Sequence, residues 1–251
     1  KFVIVTNGSY KGTEWFQQLG LVLDANDHIH WSLDGWDQAS NEQYRVNSNW
    51  ASIIANITAF RFVSKAYMTW DAIAFSFNQD HLDEMEDLAR TLRFDQFQLT
   101  RSTKFNKIYP TYPIGDILQP KDSLISSNYR FQREIKNLSG RVDTAVGYET
   151  NIDLYNSTQI TNDTKPLCAI GNKGTFINSQ GHLFPCCWVA NRYPHNAEWI
   201  ERGRYFDLSK RTLKDVLNDV FWTTEFKSFR WQECKTKCSK AIVDAKYATE
   251  W

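Results

Sequence analysis

Five cysteines, Cys168, Cys186, Cys187, Cys234 and Cys238, crowd into the last third of a 251-residue chain that has no other cysteine. Thiolates can cross-link, bind a metal ion or carry an iron–sulfur cluster, and their spacing bears on which. A disulfide framework fits poorly with a long chain, an odd count and no visible export signal. A structural zinc site draws its thiolates as two close pairs, whereas only Cys234 and Cys238 form a clear pair and Cys168 stands alone. A four-iron cubane places one thiolate on each iron, so its ligands arrive from dispersed segments at irregular intervals. Cys168, one of the adjacent Cys186 and Cys187, Cys234 and Cys238 would suffice. Between them, Thr175 to Ile177 and His182 to Phe184 flank Asn178-Ser179-Gln180-Gly181. That pattern predicts a hairpin returning Cys186 toward Cys168.

A second set of chemistry-bearing residues lies at the ends of predicted strands in the first half: Thr6-Asn7-Gly8, Ser32-Leu33-Asp34-Gly35, Ser76-Phe77-Asn78-Gln79 and Gln98-Leu99-Thr100-Arg101. Parallel α/β folds bind ligands at the carboxyl ends of their strands, where loops and helix N-termini converge. Singly, each of these stretches is also what ends a strand or caps a helix. Together they form a row suited to hydroxyl, amine and carboxylate groups, and so to a ligand-holding rim.

The elements that would hold this rim alternate. A strand over Phe2 to Thr6 is followed by a helix over Glu14 to Leu23, with Trp15, Leu19, Val22 and Leu23 at helical spacing. A strand over His28 to Leu33 is followed by a helix capped by Ser48 or Asn49, with Trp50, Ile53, Ile54, Ile57 and Phe60 as its apolar face. The apolar run Asp71 to Phe77 reads as a strand, Asp80 to Leu92 as an amphipathic helix, and Phe94 to Leu99 as a fourth strand. Strands separated by helices imply parallel βαβ units and an α/β class. Residues 111–164 read as a connector with one helix near Asn128 to Leu138, between an α/β part over residues 1–110 and a cysteine-rich part over residues 165–251.

The 29 basic and 29 acidic side chains cancel, so no long-range field gathers nucleic acid or an anionic membrane. No apolar run reaches spanning length and the first residues do not resemble a leader, which predicts a soluble, cytoplasmic protein without a membrane or nucleic-acid partner. The basic residues Arg101, Lys104 and Lys107 could meet an anionic substrate or form a solvated face. No Gly-rich phosphate loop follows any strand, against another kind of nucleotide-binding enzyme.

Cys168, twelve residues, Gly181, four residues and Cys186 are similar to the opening of the auxiliary-cluster motif in the SPASM and twitch subgroup of radical S-adenosylmethionine enzymes. With only Cys234 and Cys238 beyond it, one auxiliary 4Fe-4S cluster in a twitch-like module is what the resemblance implies. Val3 to Gly8 resembles the third barrel strand of such enzymes, and Ser32-Leu33-Asp34-Gly35 followed by Tyr44-Arg45 resembles the fourth. The resemblance implies that Ser32 and Arg45 help hold S-adenosylmethionine, with Asp34, Asn78 and Gln98 facing the same cavity. A surface ion pair is the structural alternative for Arg45.

The family's CxxxCxxC loop, which binds the cluster that cleaves the cofactor, does not occur in this sequence, nor does the Gly-Gly-Glu-type second strand. The resemblance therefore predicts the C-terminal part of a partial (β/α) barrel enzyme, either N-terminally truncated or a degenerate relative. It also implies a peptide or small-molecule substrate and an external electron donor. In that family the reductively cleaved cofactor supplies a 5′-deoxyadenosyl radical that takes a hydrogen atom from the substrate. A non-catalytic α/β binding protein, stapled by zinc or iron–sulfur, is the competing expectation.

Overall fold

The computed structural model describes residues 2–102, 104–105, 112–126, 133–142, 175–184, 190 and 206–220. The chain divides into two compact units, residues 1–144 and 145–251. In the first, β1 (Val3–Thr6), β2 (His28–Ser32), β3 (Tyr67–Ile73) and β4 (Gln96–Thr100) lie side by side, parallel and in chain order. β5 (Arg133–Asn137) pairs antiparallel with β4. The crossovers are α1 (Thr13–Val22), α2 (Gln38–Glu42) with α3 (Trp50–Val63), and α4 (Leu82–Thr91). The result is a mixed α/β unit with a mostly parallel five-stranded sheet.

Strand periodicity builds its core. In His28-Ile29-His30-Trp31-Ser32, Tyr67-Met68-Thr69-Trp70-Asp71 and Gln96-Phe97-Gln98-Leu99-Thr100, every second residue is apolar, and alternate side chains point to opposite faces. The apolar set meets the helices. Trp31 packs 4.9 Å from Phe16 of α1 and 6.0 Å from Phe60 of α3, and Trp70 lies 6.3 Å from Trp50. Met85 and Ala89 of α4 join the same buried cluster. α3 starts where the sequence predicts, with Asn49 Oδ1 accepting the Ser52 N–H at 2.9 Å, a cap that satisfies one of the helix's orphan donors.

Three local expectations change. The third strand covers Tyr67–Ile73 rather than Asp71 to Phe77. Asn78 ends it by accepting the Phe75 N–H and donating to the Ile73 carbonyl, both at 2.8 Å, so Ala74 and Phe75 are buried in a turn beyond the strand. The helix expected near Asn128 to Leu138 is corrected too: residues 133–137 are the edge strand β5, all exposed. Its pairing with β4 rests on backbone hydrogen bonds, which leave no hydrophobic period in the sequence. The short α2, unforeseen, is closed by a capping box between Asp37 and Ser40.

β5 is also tied to α4, because the Glu86 carboxylate meets both Lys136 of β5 and Arg90 of its own helix. Partial burial pushes the Glu86 carboxyl up, but hydrogen bonds from Lys136 and Arg90 outweigh it and hold the group below its ordinary value. A depressed folded-state pKa means this contribution is complete above the ordinary glutamate range and fades as pH falls through the depressed value. With both cations half-exposed, it is on the order of 1 kcal/mol or less. The protection factors of the β5 amides, with intrinsic exchange rates divided out, should fall on acidification in the native chain but not in Glu86→Gln; an equal fall in both would show that Glu86 does not anchor the strand.

In the second unit, β6 (Phe176–Ile177) and β7 (Leu183–Phe184) form the predicted antiparallel hairpin. Asn178 Oδ1 accepts the N–H groups of Gln180 and His182 across its turn. A short helix α5 (Leu213–Leu217) is capped by Thr212, whose hydroxyl accepts the Asp215 N–H.

Candidate functional site

The sheet face opposite the helices carries the polar half of the same alternation. Parallel sheets covered by helices on both sides read as continuous apolar runs, so a polar row on three adjacent parallel strands calls for an explanation. His28, His30, Thr69, Gln96, Gln98 and Thr100 are nevertheless buried. Registry places Asp71 beside Ser32 on one side and Gln98 on the other. Asp71 Oδ2 lies 2.9 Å from His30 Nδ1, and Asp71 Oδ1 accepts Gln98 Nε2–H at 2.8 Å. The row continues through Gln96, which donates to Gln98 Oε1 at 3.4 Å and accepts the Tyr67 hydroxyl at 3.3 Å.

This arrangement has definite chemical capacity. His30 joins the row through Nδ1, which faces the Asp71 carboxylate. Asp71, whose side chain is 24% exposed, supplies the row's carboxyl group, and Ser32 adds a half-buried hydroxyl beside it. Carboxylate, imidazole, amide and hydroxyl within one connected row suit a ligand carrying hydroxyl and amine groups. Of the residues singled out from the sequence, Ser32 and Gln98 lie here. His30, Asp71 and Gln96 were missed, although a period-2 polar row across three strands was legible.

Asp34, Arg45 and Asn78 come together elsewhere, past the ends of β2 and β3. Asp34 is fully buried. Its Oδ1 accepts the Ile73 N–H at 2.7 Å, and its Oδ2 accepts Arg45 Nε–H at 2.6 Å. Asn78 Nδ2 donates to the Asp34 carbonyl at 2.8 Å, and Asn41 Oδ1 accepts the Asp34 N–H at 3.1 Å. Burial pushes the Asp34 carboxyl above its ordinary value, against the pull of the Arg45 guanidinium, the Ile73 amide and Lys104. Gly35 follows where a Cβ would stand 2.2 Å from the Asn41 nitrogen, so only glycine permits this close approach. The cluster joins two strand ends through interactions among its own members.

The first predicted rim segment is a turn held from within. Thr6 Oγ1 accepts the Gly8 N–H at 3.0 Å, Asn7 Oδ1 accepts the Ser9 N–H at 3.2 Å, and the buried Asn56 side chain donates to the carbonyls of Gly8 and Lys11. Gly8 has φ +72°, and a Cβ there would approach a Trp31 ring carbon to 2.7 Å. Thr6 is half-buried and Asn7 exposed.

Cys168, Cys186, Cys187, Cys234 and Cys238 lie outside the described residues. Among the described residues, no group of three histidine, cysteine or carboxylate side chains could hold a metal ion, and no helix is long and apolar enough to cross a membrane. Fold and site together define a mixed α/β protein with a buried polar row on the sheet face opposite α1, α3 and α4. The chain matches no protein-family model and no curated protein.

Proposed function

We propose that the chain is the C-terminal portion of a radical S-adenosylmethionine enzyme with a twitch-like auxiliary-cluster module. The observation that carries this reading is the polar face of a sheet wound in one direction. A doubly wound sheet reverses strand order at its ligand crevice, whereas here β1 to β4 follow chain order without reversal, as along the arc of a barrel, whose inward residues alternate with helix-facing ones. Its polar row would then line the interior. The β6–β7 hairpin, expected between Cys168 and Cys186, agrees with the motif spacing.

The residues fit the cofactor selectively. Ser32, Asp71 and Gln98 suit the ribose hydroxyls and the methionyl amine. Asp34 suits it less, since both of its oxygens are engaged within the protein, and Arg45 reaches a carboxylate only through guanidinium nitrogens other than Nε. When bound, the cofactor supplies hydrogen-atom abstraction from a peptide or small-molecule substrate, driven by an external electron donor. This chain's own residues would position the adenosyl group and keep the site polar and buried. Cys168, Cys186 or Cys187, Cys234 and Cys238 would hold the auxiliary 4Fe-4S cluster, and the CxxxCxxC loop would be supplied from upstream in a cytoplasmic parent protein.

Anaerobic preparation followed by iron, sulfide and zinc analysis tests this directly. About four irons per chain are expected, falling to near background in Cys168→Ala and Cys238→Ala. About one zinc and no sulfide would favour the metal-stapled, non-catalytic reading, which the self-contained Asp34–Arg45–Asn78 cluster favours. In a protein that includes the CxxxCxxC loop, Asp71→Asn and Gln98→Ala should each weaken S-adenosylmethionine binding about tenfold, the worth of one charged or well-placed hydrogen bond. Unchanged affinity in both would remove the polar row from the cofactor site.

A further inference from the structure

At the other end of the sheet, where β2, β3 and β4 begin, an open pocket of about 360 Å³ is lined by Ala25, Arg61, Ser64, Lys65, Arg93 and Arg141. Two of its four cations are fixed from behind. The fully buried Asp95 takes Arg61 Nη2 on Oδ1 at 3.1 Å and Arg141 Nη1 on Oδ2 at 3.0 Å. Arg61 also donates to the Ala66 carbonyl at 3.2 Å and Arg141 to the Lys65 carbonyl at 2.9 Å. These bonds orient both guanidinium planes while leaving N–H groups on each, since a guanidinium has five. Lys65 and Arg93 have no acidic partner among the described residues. The carboxylates flanking Ala25 are occupied by backbone amides, Asp24 by Asn26 and Asp27 by Phe2 and Asp24.

Arg93 adds an independent observation. It follows α4 with φ +62°. Its N–H donates to the Arg90 carbonyl and the Phe94 N–H to the Ala89 carbonyl, both at 3.0 Å, the bonding of a Schellman helix end. That position is ordinarily glycine, and a side chain there costs about 1 kcal/mol. A left-handed arginine lining a pocket shared with three other cations carries backbone strain and like-charge repulsion that an anion would offset.

We propose that this pocket binds a small phosphate-bearing anion. Oriented guanidinium forks match phosphate oxygens, and the lysine adds a point charge. A volume within the roughly 300–1,000 Å³ range of small-molecule sites leaves room for a group esterified to the phosphate. The proposal is independent of the radical-enzyme reading.

Isothermal titration calorimetry of the full chain tests it, with inorganic phosphate and glucose 6-phosphate as probes at an ionic strength held constant with chloride. One saturable site per chain is expected, weakened about tenfold or more in Lys65→Gln and in Arg93→Gly. Arg93→Gly removes the charge and relieves the left-handed backbone, so it should unfold at a urea concentration no lower than the parent, which separates lost binding from lost folding. Tighter binding of the ester points to a phosphorylated small molecule, and equal affinity to free phosphate; both support the site. Absence of saturable heat with either probe, or affinity unchanged in both variants, overturns it.

Discussion

Asp95→Ala is expected to destabilise the first unit by about 3–5 kcal/mol, the range for removing one partner from a buried charge cluster. Asp95 is fully buried and sits where four segments meet. Its carboxylate takes Arg61 from the end of α3, Arg141 from beyond β5, and the Met68 N–H at 2.9 Å. Its own backbone bonds to Met68 of β3, and its carbonyl accepts the Leu138 N–H at 2.8 Å. Alanine would leave two guanidinium groups facing each other and an amide without its acceptor. Asp95→Asn, which retains an oxygen for Met68 but no charge, should fall between. Urea unfolding followed by tryptophan fluorescence measures both; a loss in Asp95→Ala below about 1 kcal/mol would place it in the range of an exposed ion pair and refute the hub.

Arg45→Ala is expected to cost about 3 kcal/mol at neutral pH, because it leaves the fully buried Asp34 carboxylate without its counter-charge. A cofactor role alone would predict that losing Arg45 spares the fold; the Asp34–Arg45 ion pair predicts that it does not. The penalty should also depend on pH with a definite sign. Burial already holds the Asp34 carboxyl above its ordinary value, and removing Arg45 raises it further. A carboxyl whose folded-state pKa is raised binds its proton more readily folded than unfolded, so stability is fully present below the ordinary aspartate range and declines as pH rises through the raised value. The gap between Arg45→Ala and the parent should therefore widen from pH 5 to pH 8. A gap independent of pH would show that removing Arg45 does not change how Asp34 titrates over that range. Asp34→Asn combined with Arg45→Ala should recover part of the loss, since no buried charge then remains unpaired.

Arg45 shows why the candidate site was only partly legible. In sequence, Arg45 eleven residues after Asp34 is compatible with a cofactor ligand or with an ion pair, and only the fold shows Asp34 Oδ2 on Arg45 Nε. Asn78, expected on the rim, closes the turn after β3 because that strand starts four residues earlier than its apolar run suggests. Conversely, Asp71 reads as the first residue of an apolar strand, yet in register it stands between Ser32 and Gln98. Pairing between strands decides such neighbours, and one shifted residue exchanges the two faces.

Sequence alone determined what short-range physics controls: the βα alternation through β4, a helix cap at Ser48 or Asn49, the amphipathic α4 and the Asn178–Gly181 hairpin. Each arises from periodicity or a side chain bonding its own backbone within a few residues. Tertiary structure alone decided that residues 133–137 add an exposed strand, that polar side chains line the sheet face opposite α1, α3 and α4, and that Asp34 is counter-charged by Arg45 and Asp95 by Arg61 and Arg141. Backbone pairing at a sheet edge and the partner of a buried charge are set by long-range contacts, which leave no period in the residues that make them.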